Sequence, residues 1–482
     1  MKSYRYSDQE KIESPPERYE NGTQAPLFYD NNDVFGHEAS HQIRYKTLSW
    51  RMVAVLMIAE IVSNGMLSLP GALAVVGIVP GLIIIIFLGV FATFTSWILI
   101  EFKLRHPQVH NMGDAGMVLF GPVGREVLAG GTVVFAVCAA GSQMLAGQIS
   151  LAALSDAKLC LMLYTGIFAV PLLLLSFPRT FDQLAWCSVP ACLSILLAGL
   201  VGMIGAGTNP TPDRQVQATA TADFYHAFVA ITNPVFAYAG HFMFFVLISE
   251  MKRPQDAMKA AYSLQIFATT FYVIFAAVVY AYIGSTVSSP AFSSLPPKWM
   301  KAAYGIAIPN FLIAGSLYSH TAAKLFFVRI FRRSEHLHEH TILGWGTWTV
   351  LIILMNGAAF VLAVGVPIFP YLVGIAASLF ASWFTYGIAG MFWLHDSYHD
   401  NDDDGRRSHL HGGSRLYGGD TDGAGGGGAG GFKAWLRRPV MAAVNMLTVL
   451  IGAFICVAGT FVTIKLIVDA YESGVVGEPF GC

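Results

Sequence analysis

The stretch Ala59-Glu60-Ile61-Val62-Ser63-Asn64-Gly65-Met66-Leu67-Ser68-Leu69-Pro70-Gly71-Ala72 interrupts an apolar run that extends from residue 48 to residue 76. The run is long enough to cross a bilayer. Glu60, however, is an acid at membrane depth, and Pro70 removes a backbone donor and clashes with the preceding turn of a helix. Backbone groups freed inside a membrane must be buried in protein or line a wet cavity. We therefore predict two half-helices that meet at an irregular segment near the middle of the bilayer.

The composition of the whole chain is that of an all-α polytopic membrane protein. Of its 482 residues, 55% are hydrophobic and 12% are charged, whereas a soluble domain carries about twice that charged fraction. Apolar runs of about 20 residues indicate about eleven spans. They lie near 48–76, 78–100, 125–154, 159–177, 184–207, 224–249, 260–283, 302–331, 343–366, 370–394 and 440–469.

The basic residues near the span ends predict the orientation. Loops that are rich in Lys and Arg alternate along the chain with loops that carry few of them. Because Lys- and Arg-rich loops lie in the cytosol, we expect the N-terminus to be cytosolic. We expect a disordered cytosolic tail at 1–46 and a transmembrane domain at 47–470. Within it, the Gly-, His- and Asp-rich segment 395–439 reads as a flexible cytosolic insertion, and 471–482 as a non-cytosolic tail.

A second apolar run, 224–249, repeats the anomaly of the first. Its centre, Phe236-Ala237-Tyr238-Ala239-Gly240-His241-Phe242-Met243-Phe244-Phe245, holds small residues and an ionisable side chain at mid-span. The two anomalous runs are spans one and six, which have opposite orientations, as a five-plus-five inverted repeat would require. Interrupted spans at matching places in two halves indicate the binding site of a secondary transporter.

The chemistry of the two interruptions favours a small amphiphilic ligand. A half-helix that begins near Pro70 directs backbone N–H groups and the positive end of its dipole into the gap, where a carboxylate would bind. Small residues leave room for the ligand at Gly65, Ser68, Ala237 and Gly240. Candidates for an apolar wall are Tyr238, Phe242 and Phe244. An amino acid fits this pattern.

Three stretches of the chain resemble the amino acid/auxin permease family, and within it the fungal neutral amino acid permeases. They are Met57–Val62 running into Gly65–Pro70, Phe236–His241 followed by Ser249–Pro254, and Phe120–Gly124. The resemblance covers roughly residues 46–470. It implies eleven spans, a LeuT-like five-plus-five fold with discontinuous helices one and six, and secondary active uptake of amino acids. It also implies that the backbone of the two breaks contacts the substrate, and the candidate substrate-binding residues are Ser63, Asn64, Gly65, Met66, Leu67, Ser68, Ala237, Tyr238, Gly240 and Phe242.

One departure from the family pattern concerns the coupling ion. Sodium-coupled relatives place an Asn early in span one, where this chain has Ala59-Glu60. A carboxylate at membrane depth can take up and release a proton, so we expect proton coupling, with sodium less favoured and no other cofactor. The candidates for ion or proton coupling are Glu60, His241, Ser319 and Thr321, with Ser316 and His320 also polar at mid-span in span eight.

Three charged residues near the cytosolic ends of the spans remain. Lys324, one turn beyond the polar residues of span eight, could pair with an acid or extend towards the cytosol. Glu250 and Lys252 flank the end of span six, and we expect them to lie in water or in a gate.

Two other functions compete with amino acid symport. The His and Asp tracts invite a divalent-metal transporter on the same fold, but the motifs of that family in spans one and six are missing, and we expect no metal site. A sensor without transport is the other alternative. We do not expect an enzyme, because the sequence shows no nucleophile–base pair. We read the cysteines as core residues, since they lack metal-type spacing. We further expect a monomer that binds no nucleic acid and lies in the plasma membrane rather than the vacuole.

Overall fold

The computed structural model describes residues 34–36, 38, 41–332, 334–366, 368–399 and 432–473, and these are helical apart from the connections between helices. The α-helices are α1 (Trp50–Ile61), α2 (Leu69–Val76), α3 (Ile78–Arg105), α4 (Met112–Ser155), α5 (Leu161–Leu175), α6 (Phe181–Thr208), α7 (Phe224–Ala237), α8 (Phe244–Ser249), α9 (Ala257–Ile283), α10 (Pro297–Phe331), α11 (Ile342–Gly365), α12 (Phe369–Ala376), α13 (Ile388–His399), α14 (Phe432–Arg437) and α15 (Pro439–Glu472).

The described chain contains 10 helical segments that are long and apolar enough to cross a membrane. The helix at the place of the expected fourth span, α5, has 15 residues and is shorter than these. Span ten is one continuous segment, in which the π-helix Ala377–Gly387 joins α12 to α13. The prediction of an all-helical polytopic membrane protein is therefore confirmed, with ten long helices and one short apolar helix.

Both predicted interruptions are present. In span one, α1 ends at Ile61 and a 3-10 turn, Asn64–Ser68, leads into α2, whose second residue is Pro70. In span six, α7 ends at Ala237 and a short 3-10 turn, His241–Met243, leads into α8. Helix α1 packs on α6, α9 and α10, while α7 packs on α2 and on the 3-10 turn of span one. The discontinuous helices one and six are confirmed, and they contact each other.

Helix α4 begins thirteen residues before the expected third span and bends sharply. It starts at Met112, where the side chain of Asn111 accepts a hydrogen bond from the N–H of Asp114 (3.1 Å). Gly121 has φ 69° and ψ −154°, outside the range of a helix, and divides α4 into two segments. The segments approach closely, since a Cβ added at Gly116 would lie 2.4 Å from the carbonyl oxygen of Gly124. The corner therefore requires glycine at Gly121, which has a positive φ, and at Gly116, where a Cβ would clash with the backbone.

The segment before α1 is packed against the helices. Its residues were expected to belong to a disordered tail, 1–46, yet Val34, Phe35, Ile43 and Tyr45 are buried in a cluster with Trp348 and residues of α10. At its end, Leu48 N–H donates to the Glu250 carbonyl (3.0 Å) and Lys252 N–H donates to the Leu48 carbonyl (2.9 Å). The tail expected at 1–46 therefore does not extend to residue 46, because burial of these side chains fixes the chain.

Two other expected boundaries also shift. The expected insertion, 395–439, has helical ends, because α13 continues to His399 and α14 begins at Phe432; residues 400–431 lie outside the described residues. Helix α15 extends two residues past 470, and 474–482 also lie outside them. Cys160 is disulfide-bonded and is not the core thiol that we expected, whereas Cys138 is free and buried.

Two glycines of α4 test the corner. Gly116→Ala places a Cβ against the backbone at Gly124, whereas Gly130 is exposed and a Cβ there meets nothing within 4 Å. Overpacking of this kind costs about 1–3 kcal/mol, while Ala in place of an exposed helical Gly is favourable. We expect a lower Tm in detergent for Gly116→Ala and an unchanged or higher Tm for Gly130→Ala. Equal Tm values for the two variants would contradict the close approach.

Candidate functional site

The two interrupted spans touch at their glycines. A Cβ at Gly65 would lie 3.1 Å from the Cα of Ala237, and a Cβ at Gly240 would lie 2.2 Å from Cδ1 of Ile61. The interruptions of spans one and six therefore form one site, which we call the central gap, defined by residues 60–68 and 237–243. All residues of this gap are buried.

The carbonyl groups at the ends of α1 and α7 are bound by side chains of α9 and α10. The Tyr272 hydroxyl lies 2.8 Å from the Ile61 carbonyl oxygen and 2.7 Å from that of Ala237, and its single proton can be donated to either. The amide of Asn310 donates to the Ala59 carbonyl (2.9 Å). Asn310 thus provides a partner for a carbonyl near the end of α1, while the Tyr272 hydroxyl can serve only one of its two carbonyls at a time, and that of Ile61 also accepts from the Ser63 N–H (3.0 Å).

Glu60 is the one charged side chain of the central gap. It is 1% exposed, and neither carboxylate oxygen has a hydrogen-bond partner in the part of the chain that the structure describes. A Cβ at Gly240 would lie 3.3 Å from its Oε2 atom, so the carboxylate lies against the second interruption. An ionised carboxylate is very costly to bury without a partner, which makes the neutral, protonated form the stable one in this closed arrangement.

A chain of hydrogen bonds joins the first interruption to α4. Ser63 Oγ donates to Gln143 Oε1 (3.1 Å), Gln143 Nε2 donates to Asn64 Oδ1 (3.0 Å), and Asn64 Nδ2 donates to Ser142 Oγ (2.9 Å). All four side chains are buried. Ser63 and Asn64 were expected to contact substrate through their backbone, and the engagement of their side chains with α4 does not bear on that prediction.

Aromatic rings form the apolar side of the central gap. Phe242 stacks on Tyr318 of α10 with ring centroids 5.9 Å apart, and meets Phe135 of α4 edge to face at 4.9 Å. Phe236 lies near the same Phe135 ring (6.5 Å). Of the predicted wall residues Tyr238, Phe242 and Phe244, Phe242 thus lies among rings of spans three and eight, whereas Phe244 stacks on His241 (4.7 Å). Met66 and Leu67 are fully buried, and Ser68 Oγ donates to the Gly65 carbonyl (2.7 Å).

Tyr238 and His241 have side chains that bind outside the gap. Tyr238 donates to the Ile85 carbonyl of α3 (3.1 Å). Nε2 of His241 lies 2.8 Å from Ser96 Oγ and 2.9 Å from the Ala92 carbonyl, both on α3. Nε2 therefore carries the ring proton, because a carbonyl only accepts. These contacts fasten the second interruption to α3.

In the part of the chain that the structure describes, no hydrogen bond joins the carboxylate of Glu60 to Ser319, Thr321 or any other side chain. Ser319 donates to Asn356 Oδ1 on α11 (3.3 Å), and Thr321 donates to the Leu317 carbonyl of its own helix (2.8 Å). The ring of His320 packs against Phe181 (4.5 Å). The contacts that span eight makes with the first interruption come instead from Asn310 and from the Tyr318 hydroxyl, which lies 3.4 Å from the Glu60 carbonyl oxygen.

A second charged cluster lies where α8 and α10 approach the segment before α1. Glu250 was expected in water or in a gate; it is fully buried and forms an ion pair with Lys324, which contradicts the position in water. Glu250 also accepts a hydrogen bond from the Phe181 N–H (3.2 Å). The Lys324 ammonium lies 4.9 Å from the centroid of the Tyr45 ring and 4.5 Å from that of Phe181. Lys324 therefore pairs with an acid, and Lys252 alone of this group is exposed.

The groups that cover this ion pair are themselves desolvated. Burial raises the pKa of the Tyr45 hydroxyl above its usual range, and that hydroxyl donates to the Leu337 carbonyl (3.0 Å). Burial lowers the pKa of the nearby Arg179, whose guanidinium donates to the carbonyls of His336 (2.8 Å) and Leu337 (3.1 Å). In the loop before α4, burial lowers the pKa of His110 well below its usual range, with the charge of Lys324 adding to the effect. The segment before α1 thus closes this end of the helices.

Among the residues near the interruptions that sequence reasoning missed are Gln143, Tyr272, Asn310 and Tyr318. Gln143 and Asn310 carried a usable signal, because an amide inside an apolar run is costly unless it is bonded. The two tyrosines carried none, since aromatic residues are common throughout these spans. Their partners are backbone carbonyls, which no side-chain pattern reveals.

Comparison with known proteins now identifies the class of the chain. A sequence model of the family described as transmembrane amino acid transporter protein matches residues 46–399, about three quarters of the chain. The chain belongs to this family. It is an amino acid transporter embedded in the membrane, and not an enzyme.

Two fungal relatives agree with this membership. A protein named transmembrane transporter from Gibberella moniliformis is 29% identical over 479 residues, covering 96% of this chain and 91% of the relative. A protein named N amino acid transport system protein from Neurospora crassa is 28% identical, and the match covers 93% of this chain and 90% of the relative. The resemblance to amino acid permeases that the sequence indicated is thereby confirmed.

A solved structure supports the fold. The substrate-bound, outward-open form of a Na+-coupled sialic acid symporter is 10% identical and has a TM-score of 0.53, covering 91% of this chain and 93% of that chain. At this identity the likeness concerns the fold alone. Together with the discontinuous helices one and six, it confirms the LeuT-like architecture.

Two glutamines of α4 test whether the transporter needs the link between α4 and the first interruption. Gln143→Leu removes the partner of the Ser63 hydroxyl and of the Asn64 amide oxygen, while the side chain of Gln148, on the same helix, accepts a hydrogen bond only from Thr165 of α5 (2.9 Å) among the bonds of the described chain. Loss of a buried partner costs about 1–3 kcal/mol. We expect the KM for amino acid uptake to rise about tenfold in Gln143→Leu, with little change in Gln148→Leu. Equal KM values in both variants would show that the link does not position the gap.

Proposed function

We propose that the protein is a proton-coupled symporter that imports neutral amino acids by alternating access around the central gap. The observation that carries this proposal is Glu60, a buried carboxylate without a hydrogen-bond partner among the described residues, placed against the second interruption at Gly240. No metal-binding group of three or more His, Cys, Asp or Glu side chains occurs in the described residues.

Glu60 fits the role of a proton carrier for a physical reason. In the closed gap the carboxyl group is stable when protonated, and it can lose the proton once one side of the gap opens to water. A proton bound from one side and released to the other would then move with the substrate. Sodium coupling is less favoured, because Glu60 stands in the neighbourhood where sodium-coupled relatives have an Asn.

The polarity of the gap fits a neutral amino acid. Backbone N–H groups at the start of the 3-10 turn Asn64–Ser68 can bind a carboxylate, as helix N-termini do. The carbonyl oxygens of Ile61 and Ala237 face each other across Tyr272 and provide acceptors for an ammonium group. Phe242 and Tyr318 offer an apolar wall to the side chain. Glu60 is the one charged residue in this set of contacts, so no other residue of the set could pair with a charged substrate side chain.

The side of the membrane follows from charge and redox chemistry. We propose a cytosolic N-terminus, since the loops on that side carry most Lys and Arg residues. Cys160, which follows α4 on the opposite side, is disulfide-bonded, and disulfides persist in oxidising compartments. We further propose a monomer in the plasma membrane rather than the vacuole. Surface labelling of a tagged protein in intact cells would distinguish the two membranes.

Proteoliposome uptake separates the competing functions. The purified full chain is reconstituted, and uptake of labelled phenylalanine is measured with and without an inward acid gradient. The proposal expects uptake that the gradient accelerates and that a protonophore abolishes. Uptake that ignores the gradient would remove proton coupling, metal uptake without amino acid uptake would favour the metal transporter, and binding without uptake would favour the sensor.

Glu60→Gln tests the residue assignment. The amide keeps the shape of the protonated carboxyl group but cannot release a proton, so gradient-driven uptake should be abolished while amino acid exchange across the membrane is retained. Glu101→Gln, a half-buried acid near the end of α3, is the matched control and should behave as wild type. Unaltered gradient-driven uptake in Glu60→Gln would clear Glu60 of the role.

A further inference from the structure

A cavity of about 110 Å³ lies between the start of α4 and the end of α10, away from the central gap. Arginines dominate its polar lining. The cavity is lined by Asn111, Gly113, Asp114, Arg125, Arg329 and Arg332, with Ala129, Leu325 and Val328 as its apolar floor. It opens on the face where α10 ends, which the proposed orientation assigns to the cytosol.

The charges around the cavity do not cancel. Arg329 donates two hydrogen bonds to Glu126 (2.6 and 2.8 Å), and Nε of Arg125 donates to the same carboxylate (3.3 Å). Arg332 donates to Asp114 (3.2 Å) and to a backbone carbonyl. Among the described residues, three guanidinium groups at the cavity thus share two carboxylates, which leaves one positive charge there. A single monoanion would balance it.

Arg125 is the guanidinium with spare donors. Its one hydrogen bond to a side chain in the described structure uses Nε, whereas Arg329 donates to Glu126 through both terminal nitrogens. A planar guanidinium suits phosphate oxygens, because it can donate two parallel hydrogen bonds. The side chain is 38% exposed, so its free end is open to a ligand.

The surface beside the cavity is apolar. At the corner of α4, Phe120, Val123 and Val127 are 55%, 75% and 65% exposed, respectively. Side chains of this kind are suited to contact acyl chains rather than water. A ligand that joins a phosphate to acyl chains would match both the cavity and the corner, whereas free phosphate would match the cavity alone.

We propose that this cavity binds the phosphate headgroup of an anionic phospholipid from the cytosolic leaflet. Basic pockets between transmembrane helices on that side are suited to such headgroups. The bound lipid would join the start of α4 to the end of α10. Both helices contact the central gap, α4 through Gln143 and α10 through Tyr318, so the lipid would stabilise the arrangement that surrounds the gap.

The test measures the Tm of the purified full chain in detergent as phosphatidylserine is added, with phosphatidylcholine and inorganic phosphate as separate probes. We expect phosphatidylserine to raise the Tm of wild type in a saturable manner, with no rise from the other two. In Arg125→Gln the midpoint concentration should increase about tenfold, as expected for the loss of a charge-assisted contact. Arg253→Gln removes an exposed arginine after α8, outside the cavity, and should behave as wild type.

Further variants and probes decide the remaining outcomes. Arg125→Lys keeps the positive charge, and its midpoint concentration should lie between those of wild type and Arg125→Gln. This variant tests the site even if Arg125→Gln folds poorly. An unchanged midpoint in both Arg125 variants would overturn the site. An equal rise with inorganic phosphate would overturn the lipid as its ligand, and an equal loss in Arg253→Gln would show that only the overall charge of the face matters.

Discussion

The structure depends on satisfying the backbone groups that two broken helices expose in an apolar core. Each such group costs several kcal/mol if it is left without a partner in the membrane. Tyr272 and Asn310 bind carbonyls at the ends of α1 and α7, and Gln143 holds the segment between α1 and α2. These partners lie on α4, α9 and α10, so the irregular segments persist because the surrounding helices fix them.

The same constraint accounts for the closed form of the molecule. Gly65 and Gly240 allow the interruptions to touch, which encloses Glu60 between them. At the other end, Tyr45 covers the ion pair between Lys324 and Glu250, and a buried pair that loses one partner is strongly destabilised. Opening that end to water requires the segment before α1 to leave these charges.

The fold was largely predictable, because its signals are local. Apolar length indicated the spans, and Pro70, Gly65 and Gly240 marked the two interruptions. Their side-chain partners were not predictable, since Gln143 lies 79 residues from Asn64, and Asn310 lies 251 residues from Ala59. Burial of the segment before α1 was also missed, because its polar composition resembles a disordered tail while its few apolar residues pack on distant helices. The expectation that Glu250 lies in water was wrong for the same reason, because its partner, Lys324, is on another span.

The central claim is that substrate binds between the two interruptions, beside a protonated Glu60. An experimental structure of the full chain with phenylalanine bound tests this claim most directly. The account predicts ligand density in the central gap, with its carboxylate against the backbone of Asn64–Ser68, its ammonium group near the carbonyls of Ile61 and Ala237, and its ring against Phe242. Ligand density elsewhere, with residues 60–68 and 237–243 unchanged and in contact with each other, would contradict it.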